Sequence, residues 1–528
     1  MGSSPMASAG TASPYRPPTV TGLTGLIDRS ARDRPGSPAL IFTEDRVRLS
    51  YAVLGGLADD VAARLADAGL RPGDPVGLVD ANTVEFVAAL LGAARAGLVT
   101  TPLDPSLPGP ETATRLAALG ARALLTGPGA PAASPEAAVP TWPVRVGFLP
   151  AGTVTVTVDT GERAAPRGGG AAGELTPQDA LVLFTAGTTD RAKMVPLTHA
   201  NVAAGVTAVC ATYELGTADG TVAAMPFFHG HGLLATLLAS FAGGGRVVLP
   251  SRGRFSAHTF WDDMEIAHAT WFTAVPTIHQ ILLARSAQEY PGRQAQPLRF
   301  VRSCSAALPT ATAQSLEDLL GAPLLSAYGM TESTHQAAGE PLPRNGTRKP
   351  ESVGPATGVD LRIADVDGHA CPPGAEGEVW VSGPAVARGY LGDPTETAHS
   401  YVDGWFRTGD LGLLDTDGCL FLTGRIKNLI NRGGEKISPE HVEEVIADCP
   451  GVAEAAVFPV PDATYGQRVG AVVVVREGEA TESARILRHC RTRLAPYEVP
   501  ERLQVVTALP HTAKGGLDRR ELITRYAS

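Results

Sequence analysis

A glycine- and hydroxyl-rich stretch, Phe184-Thr185-Ala186-Gly187-Thr188-Thr189-Asp190-Arg191-Ala192-Lys193, follows a short apolar run, Ala180–Leu183. Such a loop after a strand can offer backbone N–H groups and side-chain hydroxyls to phosphate oxygens, with a lysine adding positive charge. The G-x-x-x-x-G-K-[S/T] spacing of a Walker loop is absent, so any phosphate cradle here is of another kind. Lysine is otherwise scarce: Lys193, Lys349, Lys427, Lys436 and Lys514 complete the set in a chain rich in arginine. A compact ammonium on a flexible stem does work that a planar guanidinium cannot. That marks these lysines as candidates for ligand contact, except Lys349, which reads as a surface residue.

The elements that must position this loop follow from alternating patterns. Glu85–Ala94 reads as a buried helix and Gly97–Leu103 as the strand after it, and such alternation predicts parallel sheets flanked by helices. Residues 127–174 are rich in Ala, Gly and Pro; Thr153–Val158 alternates as a strand, and the rest reads as a mobile insertion. Near Gly418 the pattern changes, and a compact α+β unit with its own helix (Pro439–Ala447) and extended runs (Ala455–Val460, Gly470–Val475) is expected. With 528 residues, 44% of them hydrophobic, the chain can bury more than one core. The expected division is a disordered leader at 1–20, a large domain at 21–426 and a small mobile domain at 427–528. A net charge of -10 argues against a nucleic-acid or anionic-membrane surface. No run is long enough to span a bilayer, and six scattered cysteines suit reduced thiols in a cytoplasmic enzyme.

The phosphate loop resembles the T-S-G-T-T-G-x-P-K-G signature of the adenylate-forming superfamily, the AMP-dependent acyl-CoA synthetases and ligases. Four further stretches agree in order: Tyr328-Gly329-Met330-Thr331-Glu332, Trp405-Phe406-Arg407-Thr408-Gly409-Asp410, Gly424-Arg425-Ile426-Lys427 and Gly433-Gly434-Glu435-Lys436-Ile437. The resemblance implies a five-layered αβαβα core plus a small barrel in the large domain, and a mobile C-terminal domain. It implies ATP and Mg²⁺ as cofactors, CoA as a possible acceptor, a small-molecule acid as substrate, and a monomer or homodimer. Residue by residue, it implies that Thr185, Gly187, Thr188, Thr189 and Lys193 hold phosphates. Ser305, Ala306, Ala327 and Tyr328 line the nucleotide site, with Tyr328 stacked on adenine. Thr331 is implied at the α-phosphate, Glu332 on Mg²⁺, Asp410 on the ribose with Arg425 nearby, Lys436 at the nucleotide and Lys427 at the hinge.

Within the superfamily the sequence is most similar to oxalyl-CoA synthetases. Pro226–Leu233, Gly253–Trp261, Thr270–His279, Arg302–Ala306 and Thr331–His335 carry that likeness. The resemblance places His229, His231, Arg254, Ser305 and His335 at the acid, with His229 also catalytic. Histidine can gain positive charge near neutral pH and donate to an oxyanion, whereas a long acyl chain needs a deep apolar pocket. Histidines held in loops by backbone hydrogen bonds are the alternative for His231 and His279.

The departures matter equally. Ala186 removes a hydroxyl from the phosphate loop, Asp190 adds negative charge, and Ala192 and Met194 replace proline and glycine. Losing one donor to a charged oxygen costs about 1.5–3 kcal/mol. Pro510–Arg520 resembles the family's C-terminal motif, whose catalytic lysine would fall at Gly516; three explanations compete: Lys514, two residues earlier, takes over, adenylation runs slowly without the lysine, or the substrate is unusual. Two alternatives stand beside an acid ligase. One is an ATP-dependent diazotase that activates nitrite for reaction with an aromatic amine, resembling relatives in bacterial secondary metabolism. The other is a catalytically silent nucleotide-binding homologue.

Overall fold

Short Val/Leu runs that are apolar on both faces become central strands of a mixed sheet, and helices between them cover its faces. The structure, a computed structural model, describes residues 15–42, 47–131, 139–149, 153–185, 192–476, 481–512 and 516–527. Among these residues the largest sheet has seven strands. At its centre Pro75–Val79 pairs in parallel with Val99–Leu103 and with Leu124–Thr126. The predicted helix forms as Val84–Arg95, capped by the Thr83 side chain, and 11 of its 12 residues are buried. The strand after it starts at Val99 because Gly97 takes a left-handed φ of 72° to end the helix. Gly92 lets the neighbouring helix Tyr51–Asp67 approach closely, since an added Cβ would lie 2.5 Å from Val61.

The expectation of a mobile insertion is corrected for the described part of 127–174. Thr141–Phe148 is a strand of the same sheet, parallel to Leu124–Thr126 and antiparallel to Val154–Val158. Trp142 anchors it: the indole is buried and its N–H donates to the Glu162 carbonyl at 3.0 Å. Composition hid this, because one buried indole outweighs many alanines in apolar area. Residues 132–138 and 150–152 lie outside the described residues.

Two four-stranded sheets follow. One runs Gly220–Val222, Arg246–Leu249, Pro38–Phe42, Arg48–Ser50, and the other Trp271–Ala274, Phe300–Ser303, Leu324–Tyr328, Ala338–Gly339. The second is parallel through its first three strands. Their carboxyl ends therefore open on one side, the usual place for a ligand in such a sheet. A six-stranded antiparallel sheet carries Trp405–Leu414 next to Cys419–Arg425. The C-terminal part builds its own five-stranded sheet and its own core, which includes Ile430, Val442, Ile446, Val457 and Ile486. The molecule is thus a large N-terminal domain of sheets flanked by helices, followed by a smaller α+β domain. All six cysteines are free. No helix among the described residues is long and apolar enough to cross a membrane.

Candidate active site

The candidate phosphate loop connects two strands that pair with each other. Asp179–Thr185 and Lys193–Thr198 are antiparallel, with Thr185 directly opposite Lys193. Gly187, Thr188 and Thr189, with Ala186, Asp190 and Arg191, lie outside the described residues. The Lys193 ammonium pairs with Glu396 and sits 4.7 Å over the Tyr390 ring. Glu396 belongs to the helix Pro394–Ser400, which Asp393 caps by accepting from the Glu396 backbone N–H.

Three distant motifs converge on one carboxylate. The strand Leu324–Tyr328 delivers Ala327 and Tyr328, and the Tyr328 hydroxyl donates to Asp410 Oδ2 at 2.6 Å. Asp410 and Arg425 are register partners on neighbouring antiparallel strands, and Arg425 Nε reaches Asp410 Oδ1 at 2.7 Å. Burial pushes the Asp410 carboxyl up, opposed mainly by Arg425. Arg425 is itself raised, first by Asp410. Lys427 follows on the 3-10 turn Ile426–Asn428. Its ammonium keeps contact with solvent, yet desolvation and then Arg425 lower its pKa, and Asp410, Lys193 and Glu332 all act on it electrostatically.

Thr331 and Glu332 occupy the 3-10 turn Thr331–Ser333 just past that strand. Glu332 is buried and accepts from the Tyr390 hydroxyl at 2.9 Å; burial raises its pKa. The next two residues, Thr334 and His335, take left-handed φ values of 51° and 63°. This double turn bends the chain so that His335 meets the other histidines. Its ring lies 5.1 Å from His229 and 5.2 Å from His231. Ser305, also left-handed at φ 75°, places its hydroxyl 3.1 Å from His231 Nδ1. Ser305 and Ala306 are exposed and His229 is half-buried, so these form the open side of the group.

The expectation that His231 charges near neutral pH is corrected. His231 is fully buried, and its Nε2 lies 2.6 Å from Thr273 Oγ1 and 3.3 Å from an Arg302 nitrogen. Burial first, then Arg302, hold its pKa well below the usual value, so it is a neutral hydrogen-bonding residue. His279 is likewise buried and pushed down by burial to about 4. Arg254 is exposed after the Ser251–Gly253 turn, and Lys436 is exposed on the strand Glu435–Ile437. Among the described residues neither hydrogen-bonds nor ion-pairs with the Asp410 or histidine groups.

The sequence matches the family described as AMP-binding enzyme over residues 27–391, and the AMP-binding enzyme C-terminal domain over residues 441–515. The chain belongs to the AMP-binding enzyme family. Oxalate–CoA ligase of Arabidopsis thaliana is 43% identical over 505 residues, covering 94% of this chain and 97% of that protein. Sulfoacetate–CoA ligase of Cupriavidus necator is 34% identical over 507 residues, covering 95% and 97%. The ATP-bound MatB of Rhodopseudomonas palustris superposes with a TM-score of 0.82 at 28% identity, covering 96% of this chain and 99% of that one. The likeness to oxalyl-CoA synthetases read from the histidine-bearing stretches is therefore borne out.

In this AMP-binding enzyme the C-terminal hairpin is tied at its base. Thr512 donates to the Gly516 carbonyl through both N–H (2.8 Å) and hydroxyl (3.2 Å), and Asp518 N–H donates to Pro510 O. Arg519 fastens the following helix through Val457 O, Glu440 and Glu443. Lys514 lies outside the described residues.

Sequence reasoning missed Asn82, Tyr390 and Arg302. Asn82 is 3% exposed, and its amide donates to Ala223 O and Met225 O while accepting from Phe227 N–H. Its own N–H donates to Gly253 O. The side chain thus clamps the loop leading to His229, and the backbone of the same residue holds the turn leading to Arg254. Nothing in its local spacing signals this.

Proposed function

We propose that this AMP-binding enzyme joins a small anionic acid of the oxalate class to the thiol of CoA through an acyl-AMP, using ATP and Mg²⁺. The observation that carries the reading is the polar group formed by His229, His231, His335 and Ser305. It offers imidazole and hydroxyl donors to an oxyanion, which suits a small anion better than a long acyl chain. Two relatives named for oxalate and sulfoacetate, both small acids with two anionic groups, support the same class.

The chemistry divides into two balanced steps. An acid carboxylate oxygen attacks the α-phosphorus of ATP; the bond to the β-phosphate oxygen breaks, and pyrophosphate leaves with that electron pair. The CoA sulfur, having lost its proton to solvent, then attacks the acyl carbon, and AMP leaves with the C–O pair. Lys193 and the Thr185 stem serve the phosphates, and Thr331 the α-phosphate. Tyr328 packs on the base and Asp410, oriented by Arg425, takes the ribose hydroxyls. Glu332 fits Mg²⁺: it is a buried carboxylate whose proton affinity is raised, and a hard cation takes carboxylate oxygens. Bound there, the ion would neutralise charge on the departing pyrophosphate. Lys427 serves as the pivot between the two steps, with the C-terminal domain carrying Lys436 and Lys514.

The test is pyrophosphate release over oxalate, sulfoacetate, acetate, longer acids and nitrite, with and without CoA or an aromatic amine. Oxalate-dependent release, with thioester formed when CoA is present, is expected. Nucleotide binding without turnover of any short acid, or release driven by nitrite and an amine alone, would overturn the proposal.

A further inference from the structure

Behind the acid pocket lies a buried cation with no carboxylate beside it. Arg302, on the strand Phe300–Ser303, is fully buried. Its contacts are neutral: Thr273 Oγ1 at 3.2 Å, His231 Nε2 at 3.3 Å, Gln336 Oε1 at 3.0 Å, and the Tyr213 ring, 5.9 Å away. Among the described residues no Asp or Glu pairs with it. Burying a charge is costly, and buried charges are ordinarily paired. Charge left unpaired in the interior is available to a ligand.

The hydrogen-bond directions carry that charge outward. A guanidinium only donates, so the Arg302 nitrogen 3.3 Å from His231 Nε2 favours the form in which Nε2 carries no proton and its one lone pair accepts from Thr273. Thr273 then accepts from Arg302 and donates its own hydroxyl to the same Nε2 at 2.6 Å. With Nε2 unprotonated, the neutral ring carries its proton on Nδ1 and donates to Ser305 Oγ at 3.1 Å. The Ser305 hydroxyl hydrogen must therefore point elsewhere, and the exposed Ser305 stands at the open side of the pocket. Every group in the relay is a donor toward the ligand.

We propose that Arg302 is a positioning and specificity-determining residue for the acid. Its charge locks His231 in the Nδ1-protonated tautomer, makes Ser305 a donor to the bound anion, and favours acids that bring a second negative charge. The claim rests on the small-acid reading of this pocket for its specificity half and on hydrogen-bond geometry alone for its tautomer half. His229, His335 and His279 also surround His231, and with Arg302 they oppose its protonation.

Two variants separate the halves. Arg302→Met removes the charge while keeping an unbranched apolar stem, and Gln336→Glu leaves Arg302 but supplies a carboxylate to it. The ratio of kcat/KM for oxalate over acetate should fall at least about ten-fold in both, since one removes and the other neutralises the unpaired charge behind the relay. The KM for ATP should hold. In parallel, NMR of isotope-labelled histidine reads the His231 tautomer, assigned with His231→Gln: Nδ1–H in the wild type, and a shift toward Nε2–H in Arg302→Met.

A ratio within about two-fold of wild type in the folded variants overturns the specificity half. An Nε2–H signal in the wild type overturns the tautomer half, even if Arg302→Met does not fold. Should the wild type activate no acid, the small-acid reading fails by itself, and the NMR result alone decides the role of Arg302.

Discussion

Tyr390→Phe deletes a single hydroxyl from the region around Glu332. The ring remains, so the contact with Lys193, 4.7 Å above it, is kept. What is lost is the donor to Glu332 Oε1 at 2.9 Å, on a residue only 8% exposed. A hydrogen bond to an ionised group contributes about 1.5–3 kcal/mol, against about 0.5–1.5 for a neutral one. The difference, about 1–2 kcal/mol, falls on the ionised form, so the Glu332 pKa should rise by roughly one further unit. The sign follows from linkage. An acid whose folded pKa is already raised, as Glu332's is by burial, costs stability as pH climbs from its unfolded to its folded pKa. The variant's deficit should therefore be small at pH values where Glu332 is protonated and largest where it is ionised. Thermal unfolding at about pH 5 and about pH 8, without ligands, reads the deficit directly. The acidic limb of pyrophosphate release against pH should move up by about one unit. Equal deficits at both pH values with an unmoved limb would refute the idea that this hydroxyl holds the carboxylate in its charged form.

Two further changes test the scaffold and the hairpin. Asn82→Ala strands three buried backbone groups at Ala223, Met225 and Phe227. It should cost about 3–5 kcal/mol and raise KM for the acid more than for ATP, because the loop carrying His229 loses its clamp; denaturation and initial-rate kinetics read both, and equal effects on the two substrates speak against the clamp. Gly516→Lys should fold with stability within about 0.5 kcal/mol of wild type, since among the described residues an added Cβ meets only Thr512 Oγ1 at 3.8 Å. If position 516 faces the reacting atoms, acid-dependent pyrophosphate release should rise about ten-fold or more. An unchanged rate in that variant, beside a loss in Lys514→Ala, assigns the work to Lys514.

Much of this molecule is written locally. The phosphate loop, the Tyr328 motif and the Asp410 and Arg425 motifs are contiguous runs, because a turn or strand end that presents several groups to one ligand needs its residues adjacent. The buried helix at Val84–Arg95 was legible for a similar reason: eight or more apolar residues in a row leave no polar face. Trp142 shows the limit, since a strand inside an Ala/Gly-rich stretch is decided by what its one large side chain packs against.

Family membership and the order of the motifs were therefore determined by the sequence alone. The charge state of the pocket was not. His231 reads in sequence as a pH-sensitive imidazole, yet Thr273 and Arg302, 42 and 71 residues away in the chain, bury it and hold it neutral. Asn82 reads as any loop asparagine until residues 141 and 145 positions away supply its partners. A side chain's type limits the chemistry it can do, but its pKa, tautomer and direction depend on the field and the hydrogen bonds around it. Those come from neighbours that only the folded chain brings together.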